Sequence, residues 1–207
     1  MANHRPLLRV LCFTVLMVLI AASRAHATLI TITSASFSGS ESIADFTVVT
    51  SQSLPYSEDG ATFVSYSGLL ASVLSFNNFL NMAGSGTLRI DFSVPEIRAG
   101  FFFGAPIGSG ITISAQAFSD LAGTQSLGTV GLGSFAANQT GFVGFEADAP
   151  LSRADISFAV SGATASFRID DFRFEPQATP VPEPGTLLLT LVGGGWLAAR
   201  HAGRQRR

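Results

Sequence analysis

The sequence contains no lysine; all 12 of its basic residues are arginine. Its one cysteine, Cys12, and its three histidines, His4, His26 and His201, all lie close to one end or the other. From Thr28 to Thr179 there is therefore no Cys, His, Lys or Trp. That excludes a disulfide or thiolate site in the body of the chain. It also excludes Ser-His-Asp and Cys-His nucleophile arrangements and zinc sites built on His or Cys. Charged residues make up only 13% of the chain, against about 25% in an ordinary globular protein. In the same middle stretch Arg89, Arg98, Arg153, Arg168 and Arg173 face thirteen acids, a net charge of −8. Five scattered arginines on an acidic body do not make a nucleic-acid surface, because phosphate contacts need clustered positive charge.

What is present at the front, residues 1–27, reads as a secretory signal peptide. Arg5 and Arg9 form a basic start, residues 10–22 are apolar apart from Thr14, and Ala25-His26-Ala27 fits the A-x-A cleavage pattern, with the cut before Thr28. The competing reading, an uncleaved membrane helix, needs a run of about 20 apolar residues, and this one is too short. Cys12 sits inside the apolar run without small residues before it, which argues against a lipoprotein anchor.

The other end has three parts. Residues 177–185 form a proline-rich linker in which Pro180, Pro182 and Pro184 fix the backbone and block helix entry. Residues 186–199 are apolar and include Leu187, Leu188, Leu189, Leu191, Val192 and Trp196. Residues 200–207 are a basic tail with Arg200, Arg204, Arg206 and Arg207, which the positive-inside rule keeps in the cytoplasm with the body outside. The apolar segment is short for a spanning helix, and Gly193, Gly194 and Gly195 weaken it further. Such an anchor suits a temporary hold on a membrane. A buried core helix, the alternative, fits poorly with a proline segment on one side and an arginine cluster on the other.

Val181, Pro182, Glu183, Pro184, Gly185 and Thr186, then the apolar stretch, then the terminal arginines, resemble the PEP-CTERM sorting domain. The resemblance covers only this end of the chain. It implies recognition by an exosortase, a membrane transpeptidase-like enzyme, near Pro182, Glu183 and Pro184. It further implies export across the inner membrane of a Gram-negative bacterium, a place in the envelope or outside it after processing, and an association with exopolysaccharide or biofilm.

The body, residues 28–176, alternates with the period of two that marks half-buried strands. Leu88, Ile90, Phe92 and Val94 alternate with Arg89, Asp91 and Ser93; Ile156, Phe158 and Val160 alternate with Asp155, Ser157 and Ala159. Strands are expected at 28–38, 43–50, 61–67, 86–94, 97–104, 110–118, 125–130, 140–147, 153–161 and 164–175. Turn signals such as Asp59-Gly60 and Ser161-Gly162 separate them. Short, evenly spaced strands predict an all-β fold, an antiparallel β-sandwich of jelly-roll kind. Residues 69–82 are ambiguous: their apolar residues could line a short helix, whereas Asn77-Asn78 argues for a turn. The body holds 17 of the 18 Phe, which supply the core that a disulfide-free domain needs. A sugar platform is the competing use of aromatics, but such platforms favour Trp and Tyr, and only Tyr56 and Tyr66 are available.

Two constellations could carry chemistry. A carboxylate pair of the glycosidase type is possible among Glu41, Asp45, Glu58, Asp59, Asp91, Glu96, Asp120, Glu146 and Asp148, but no pair stands out. In Phe167-Arg168-Ile169-Asp170-Asp171-Phe172-Arg173-Phe174 the apolar phase flips at Asp170-Asp171, which predicts a β-bulge or a change of inward face. A closing strand with this Asp-Asp-Phe step resembles the last strand of jelly-roll domains that carry the sorting tail, and of some carbohydrate-binding modules. That resemblance implies a structural calcium held by Asp170 or Asp171 with Glu41, completed by carbonyls and water. Otherwise these acids pair with Arg168, Arg173 or Arg153. Residues 104–110 are glycine-rich but lack the Lys and helix of a phosphate cradle. The expectation is thus a non-enzymatic surface or matrix protein sorted by exosortase and associated with exopolysaccharide. The alternatives are a calcium-dependent lectin-like module and a hydrolase using two carboxylates.

Overall fold

The structure is a computed structural model that describes residues 27–47, 51–74, 78–105, 109–162 and 165–176. Ala25 of the cleavage site, residues 181–185, the apolar segment from Leu187 to Trp196, and Arg200, Arg204, Arg206 and Arg207 lie outside the described residues. Among those described there is one 3-10 turn, Ser34–Ser36, no α-helix, and twelve strands. They are β1 Leu29–Ile32, β2 Ser42–Ala44, β3 Gln52–Ser53, β4 Tyr56–Glu58, β5 Ala61–Tyr66, β6 Leu70–Leu74, β7 Phe79–Ala83, β8 Gly86–Gly104, β9 Ile111–Phe118, β10 Ser126–Phe135, β11 Thr140–Val160 and β12 Ser166–Pro176. All their pairings are antiparallel.

The long strands β8 and β11 build the sandwich. In β8, Leu88, Ile90 and Phe92 are buried, and then the buried set shifts to Ala99, Phe101 and Phe103. The parity changes between Phe92 and Ala99, so the strand turns a different side inward after the bend. In β11 the same change separates Val143, Phe145 and Ala147 from Ala154, Ile156 and Phe158. The register between the two strands slips there, between Glu146 and Leu151 and again before Arg153. Each strand therefore serves two sheets. The first runs β4-β5-β8-β11-β9-β10. The second runs β1-β11-β8-β12, with β7, β6 and β3 continuing from the first half of β12 and β2 pairing its second half. The sequence predicts two strands in place of each long one, because a phase flip at Pro95 or Pro150 reads locally as a break.

The inner faces meet through phenylalanine. Phe63 of β5 packs edge-on against Phe172 of β12, ring centroids 5.2 Å apart, and Phe158 of β11 lies 4.8 Å from Phe167 of β12. Phe92 contacts both Phe172 and Phe174. Both tyrosines belong to this core: Tyr56 is buried, and Tyr66 donates its hydroxyl to the Gly84 carbonyl. Burial raises the Tyr66 phenol to about 12.

Turn chemistry accounts for the connections. Asp59 and Gly60 join β4 to β5 with φ of 50° and 103°, and Glu58 pairs directly with Ala61. This is the two-residue primed hairpin turn that Asp-Gly favours. The expected flip in β12 is a bulge. Asp171 takes φ 43°, the register with β8 shifts between Asp170 and Arg173, and Phe167, Ile169, Phe172 and Phe174 all end up buried. Residues 70–74 and 79–83 pair as antiparallel strands, β6 with β7, and not as the short helix their apolar spacing also allowed; Leu80 and Met82 point inward while Asn81 alternates with them.

One buried carboxyl makes the fold sensitive to pH. Glu96 lies where β8 bends, opposite Leu151 and Pro176; it is 4% exposed, and its Oε2 has no hydrogen-bond partner. Burial, reinforced by repulsion from Glu175, raises its pKa from 4.5 to about 7. The folded chain then holds a proton that the unfolded chain releases. This contribution is complete below pH 4.5 and is lost as pH rises to about 7. Glu96→Gln is expected to remove this slope, so that in thermal unfolding the variant gains on the native chain as pH rises from 4.5 to about 7 and the difference then levels off. Parallel melting curves for the two proteins across that range would contradict it.

Candidate functional site

The two outer faces of the sandwich differ in how their charges are arranged. On the first sheet Arg89 bonds Asp91 through two nitrogens, and Arg153 bonds Asp155 likewise. The two pairs stand opposite each other, Arg153 beside Asp91 and Asp155 beside Arg89, and close into a neutral checkerboard. On the second sheet Arg98 bridges Glu146 at 2.9 Å and Glu175 at 3.3 Å, and Arg173 pairs with Glu41 at 3.1 Å. Burial raises the Glu175 carboxyl, but hydrogen bonds from Ser38 and the Arg98 guanidinium outweigh it and leave the pKa below its usual value. Among the described residues Arg168 is the arginine with no carboxylate within salt-bridge distance.

Arg168 belongs to a row that crosses four strands of the second sheet. It faces Asn81 of β7 on one side and Gly104 of β8 on the other, and Gly104 in turn faces Thr140 of β11. Register partners in an antiparallel sheet point the same way. All four therefore share the outer face, since their neighbours Leu80, Met82, Phe103, Phe167 and Ile169 are buried. At about 4.8 Å between strands the row spans about 14 Å. A second row lies beside it: Asp170 faces Phe102, and Phe102 faces Phe142 with ring centroids 5.2 Å apart. Phe37 meets Phe142 edge-on at 6.0 Å.

Glycine opens the floor between these rows. A Cβ at Gly104 would come 3.1 Å from Arg168 Nε and 3.2 Å from its Cγ, so the arginine stem lies flat across the glycine. The guanidinium ends 5.4 Å above the ring of Phe79, within cation-π range. Two adjoining open cavities result, of about 360 and 340 Å³, sharing Gly104, Thr140 and Arg168. Such volumes suit a small ligand or one segment of a polymer. Asn138 rims the first cavity from the turn between β10 and β11, with φ 63°, a conformation Asn tolerates.

The sequence expectations fare unevenly against this geometry. Glu41, Asp170 and Asp171 each have a partner within the chain. Glu41 gives its Oε1 to Arg173, Asp171 lies 3.7 Å from the same guanidinium, and Asp170 Oδ1 accepts the Asp171 N–H at 2.9 Å. Among the described residues no three His, Cys, Asp or Glu are grouped to hold a metal ion. Glu41 thus makes the arginine pairing that the sequence also allowed, with Arg173.

The carboxylates considered for catalysis are mostly engaged elsewhere. Asp91 and Glu146 are in ion pairs, Asp120 accepts from Thr124 and Gln125, and Asp148 accepts from Thr28. Glu58 takes the Phe46 N–H, and burial raises its carboxyl. Among the described residues lining the two cavities, Asp170 is the one carboxylate; burial raises it too. The residues missed in the sequence are Phe79, Asn81, Phe102 and Thr140. Arg168 reads in the sequence only as an ion-pair partner. No motif marks them, because what joins them is cross-strand register.

No protein-family model matches the chain, and no curated protein matches it. Among solved structures it is similar to variants of family 29 carbohydrate-binding modules. One has a TM-score of 0.40 at 8% identity, covering 68% of this chain and 99% of that chain. Another, complexed with mannohexaose, has a TM-score of 0.38 at 10% identity, covering 72% and 91%. Likenesses this loose transfer neither a site nor a ligand.

Proposed function

We propose that this chain is an exported, non-enzymatic surface or matrix protein whose second sheet engages polysaccharide. The observation that carries the binding part is the pair of rows on one outer face: Asn81, Arg168, Gly104 and Thr140 beside Phe102 and Phe142. Sugars offer a ring of hydroxyls and an apolar C–H face. They are held by hydrogen-bonding side chains next to aromatic rings, in an open groove that admits a chain end to end. A hydrolase would need two carboxylates in such a groove, and the described lining residues supply one.

The delivery part of the proposal rests on the terminal segments. The leader releases the body at Thr28, and an exosortase acts near Pro182, Glu183 and Pro184 while the inner membrane holds the tail. One contact supports the first cut. The Thr28 N–H donates to Asp148 Oδ1 at 2.9 Å, and its hydroxyl donates to Oδ2 at 2.8 Å. Cleavage before Thr28 would turn that N–H into an ammonium facing a carboxylate already in place, and hydrogen bonds between charged groups are roughly twice as strong as neutral ones.

The test is affinity electrophoresis of the processed protein, recovered from its host, in gels cast with neutral and acidic polysaccharides. Retardation by at least one of them is expected. Replacing Asn81 and Phe102 together with alanine should weaken it by about tenfold or more, since a hydrogen bond and an aromatic contact are each worth about 1 kcal/mol. Unchanged retardation of that variant would move the site elsewhere, and no retardation of the native protein would remove the reading.

A further inference from the structure

We infer that the groove reads a carboxylate-bearing saccharide, a uronate-type unit of an acidic polysaccharide, and that Arg168 is the side chain that grips its carboxylate. This rests on the polysaccharide reading above and narrows it to a ligand class.

Every other described arginine in the body spends its guanidinium on acids of the same chain: Arg89 on Asp91, Arg98 on Glu146 and Glu175, Arg153 on Asp155, and Arg173 on Glu41. An acidic body has carboxylates to spare, yet among the described residues none lies within salt-bridge distance of Arg168; Asp170 feels its charge only from farther off. The nearest in sequence, Asp170, is turned to the Asp171 N–H. Arg168 is exposed, lines both cavities, and makes its described contacts through its flat faces and stem: the ring of Phe79 and the floor at Gly104. Those contacts hold the stem and the guanidinium carbon, and no hydrogen bond to a described residue occupies its N–H donors. A planar fork held in place with its donors open matches a carboxylate, which it can meet with two parallel hydrogen bonds. Asn81 directly across β7 and Thr140 two strands away offer amide and hydroxyl groups for the sugar hydroxyls flanking that carboxylate. Asp170, two residues along β12 from Arg168 and facing Phe102, repels an anion on that side of the arginine. The carboxylate is therefore received at the Asn81–Arg168 end and the uncharged part of the sugar chain along Phe102 and Phe142. The body's net charge of −8 disfavours loose adhesion of a polyanion, so retention of one reports a specific grip.

The experiment compares polygalacturonate with its fully methyl-esterified form and with dextran sulfate, by titration calorimetry on the processed protein and its variants. The native protein is expected to bind polygalacturonate and to bind the ester and the sulfate at least tenfold more weakly. Arg168→Gln should lose about 10- to 100-fold for polygalacturonate, the range of a charge-assisted hydrogen bond, and should bind the acid and the ester alike. Arg168→Lys should fall between, because it restores charge without the fork. Thermal unfolding of the variants should stay close to that of the native protein, since Arg168 holds no salt bridge to a described residue and loses only its exposed contacts with Phe79 and Gly104. Equal affinity of the native protein for acid and ester would overturn this inference and leave the neutral-sugar reading standing. Stronger binding of dextran sulfate would overturn it in favour of a sulfate reader. Binding of none of the three would overturn the inference, and with a silent gel experiment the broader reading too.

Discussion

Replacing Phe172 with alanine is expected to destabilise the sandwich by about 3–5 kcal/mol, the range for truncating a large buried aromatic. Phe172 is 0% exposed and is the point where the two sheets lock together. Its ring contacts Phe63 at 5.2 Å and Phe92 at 6.3 Å from the first sheet, and Phe101 at 6.2 Å and Phe174 at 6.0 Å within the second. It also follows the β12 bulge, which turns it inward. Losing it opens a cavity lined by four stiff rings that cannot close over the gap. With no cysteine in the body, no disulfide holds the sheets while the core is weakened. Urea unfolding should show a lower midpoint at an unchanged slope. Phe102→Ala, on the outer face, should shift the midpoint far less. Similar midpoints for both variants would contradict this account of the core.

The difference between those two phenylalanines shows what local sequence reveals. Inward and outward positions within a strand follow from alternation, so Leu88, Ile90, Ile156 and Phe158 were legible as core. So was the bulge, because Ile169 and Phe172 cannot both face inward across two intervening acids without an extra residue. The Asp59-Gly60 hairpin was legible from its turn chemistry. Residues 70–83 were not, since a short apolar run with mixed spacing satisfies helix and hairpin alike, and the pairing of β7 with β12 decides it. The continuity of β8 and β11 through their bends was hidden for a related reason: a strand that changes sheets looks, locally, like two strands.

The site was the least legible part. Asn81, Arg168, Gly104 and Thr140 are spread over three strand-to-strand registers, and nothing in their own neighbourhoods marks them. The same register places Glu41 beside an arginine: Ser42 and Ile43 of β2 pair with Phe174 and Arg173, which brings Glu41 to a guanidinium. The rings on the outer face of the second sheet are Phe79, Phe102 and Phe142, while Tyr56 and Tyr66 pack inside.

Where the sandwich works is proposed to depend on the tail, and here the largest cellular effect is expected. Pro182, Glu183 and Pro184 before a short apolar segment and four arginines are proposed to hold the exported body at the inner membrane until an exosortase cuts it free. The apolar segment is shorter than the roughly 20 residues a stable span requires, and its three consecutive glycines weaken it as a helix. Such an anchor delays release without making it permanent. Removing residues 181–207 should leave the sandwich folded, because its core and both sheets are complete by Pro176. The body should then escape processing and be lost from its normal address.

The direct measurement is to follow the full chain and the chain lacking residues 181–207 through fractionated cells and to determine the ends of the product by intact-mass spectrometry. The account predicts that the full chain yields an envelope or matrix species starting at Thr28 and ending near Pro182, Glu183 and Pro184, and that the truncated chain is absent from that fraction. Normal delivery of the truncated chain, or a surface product still carrying Arg207, would contradict it.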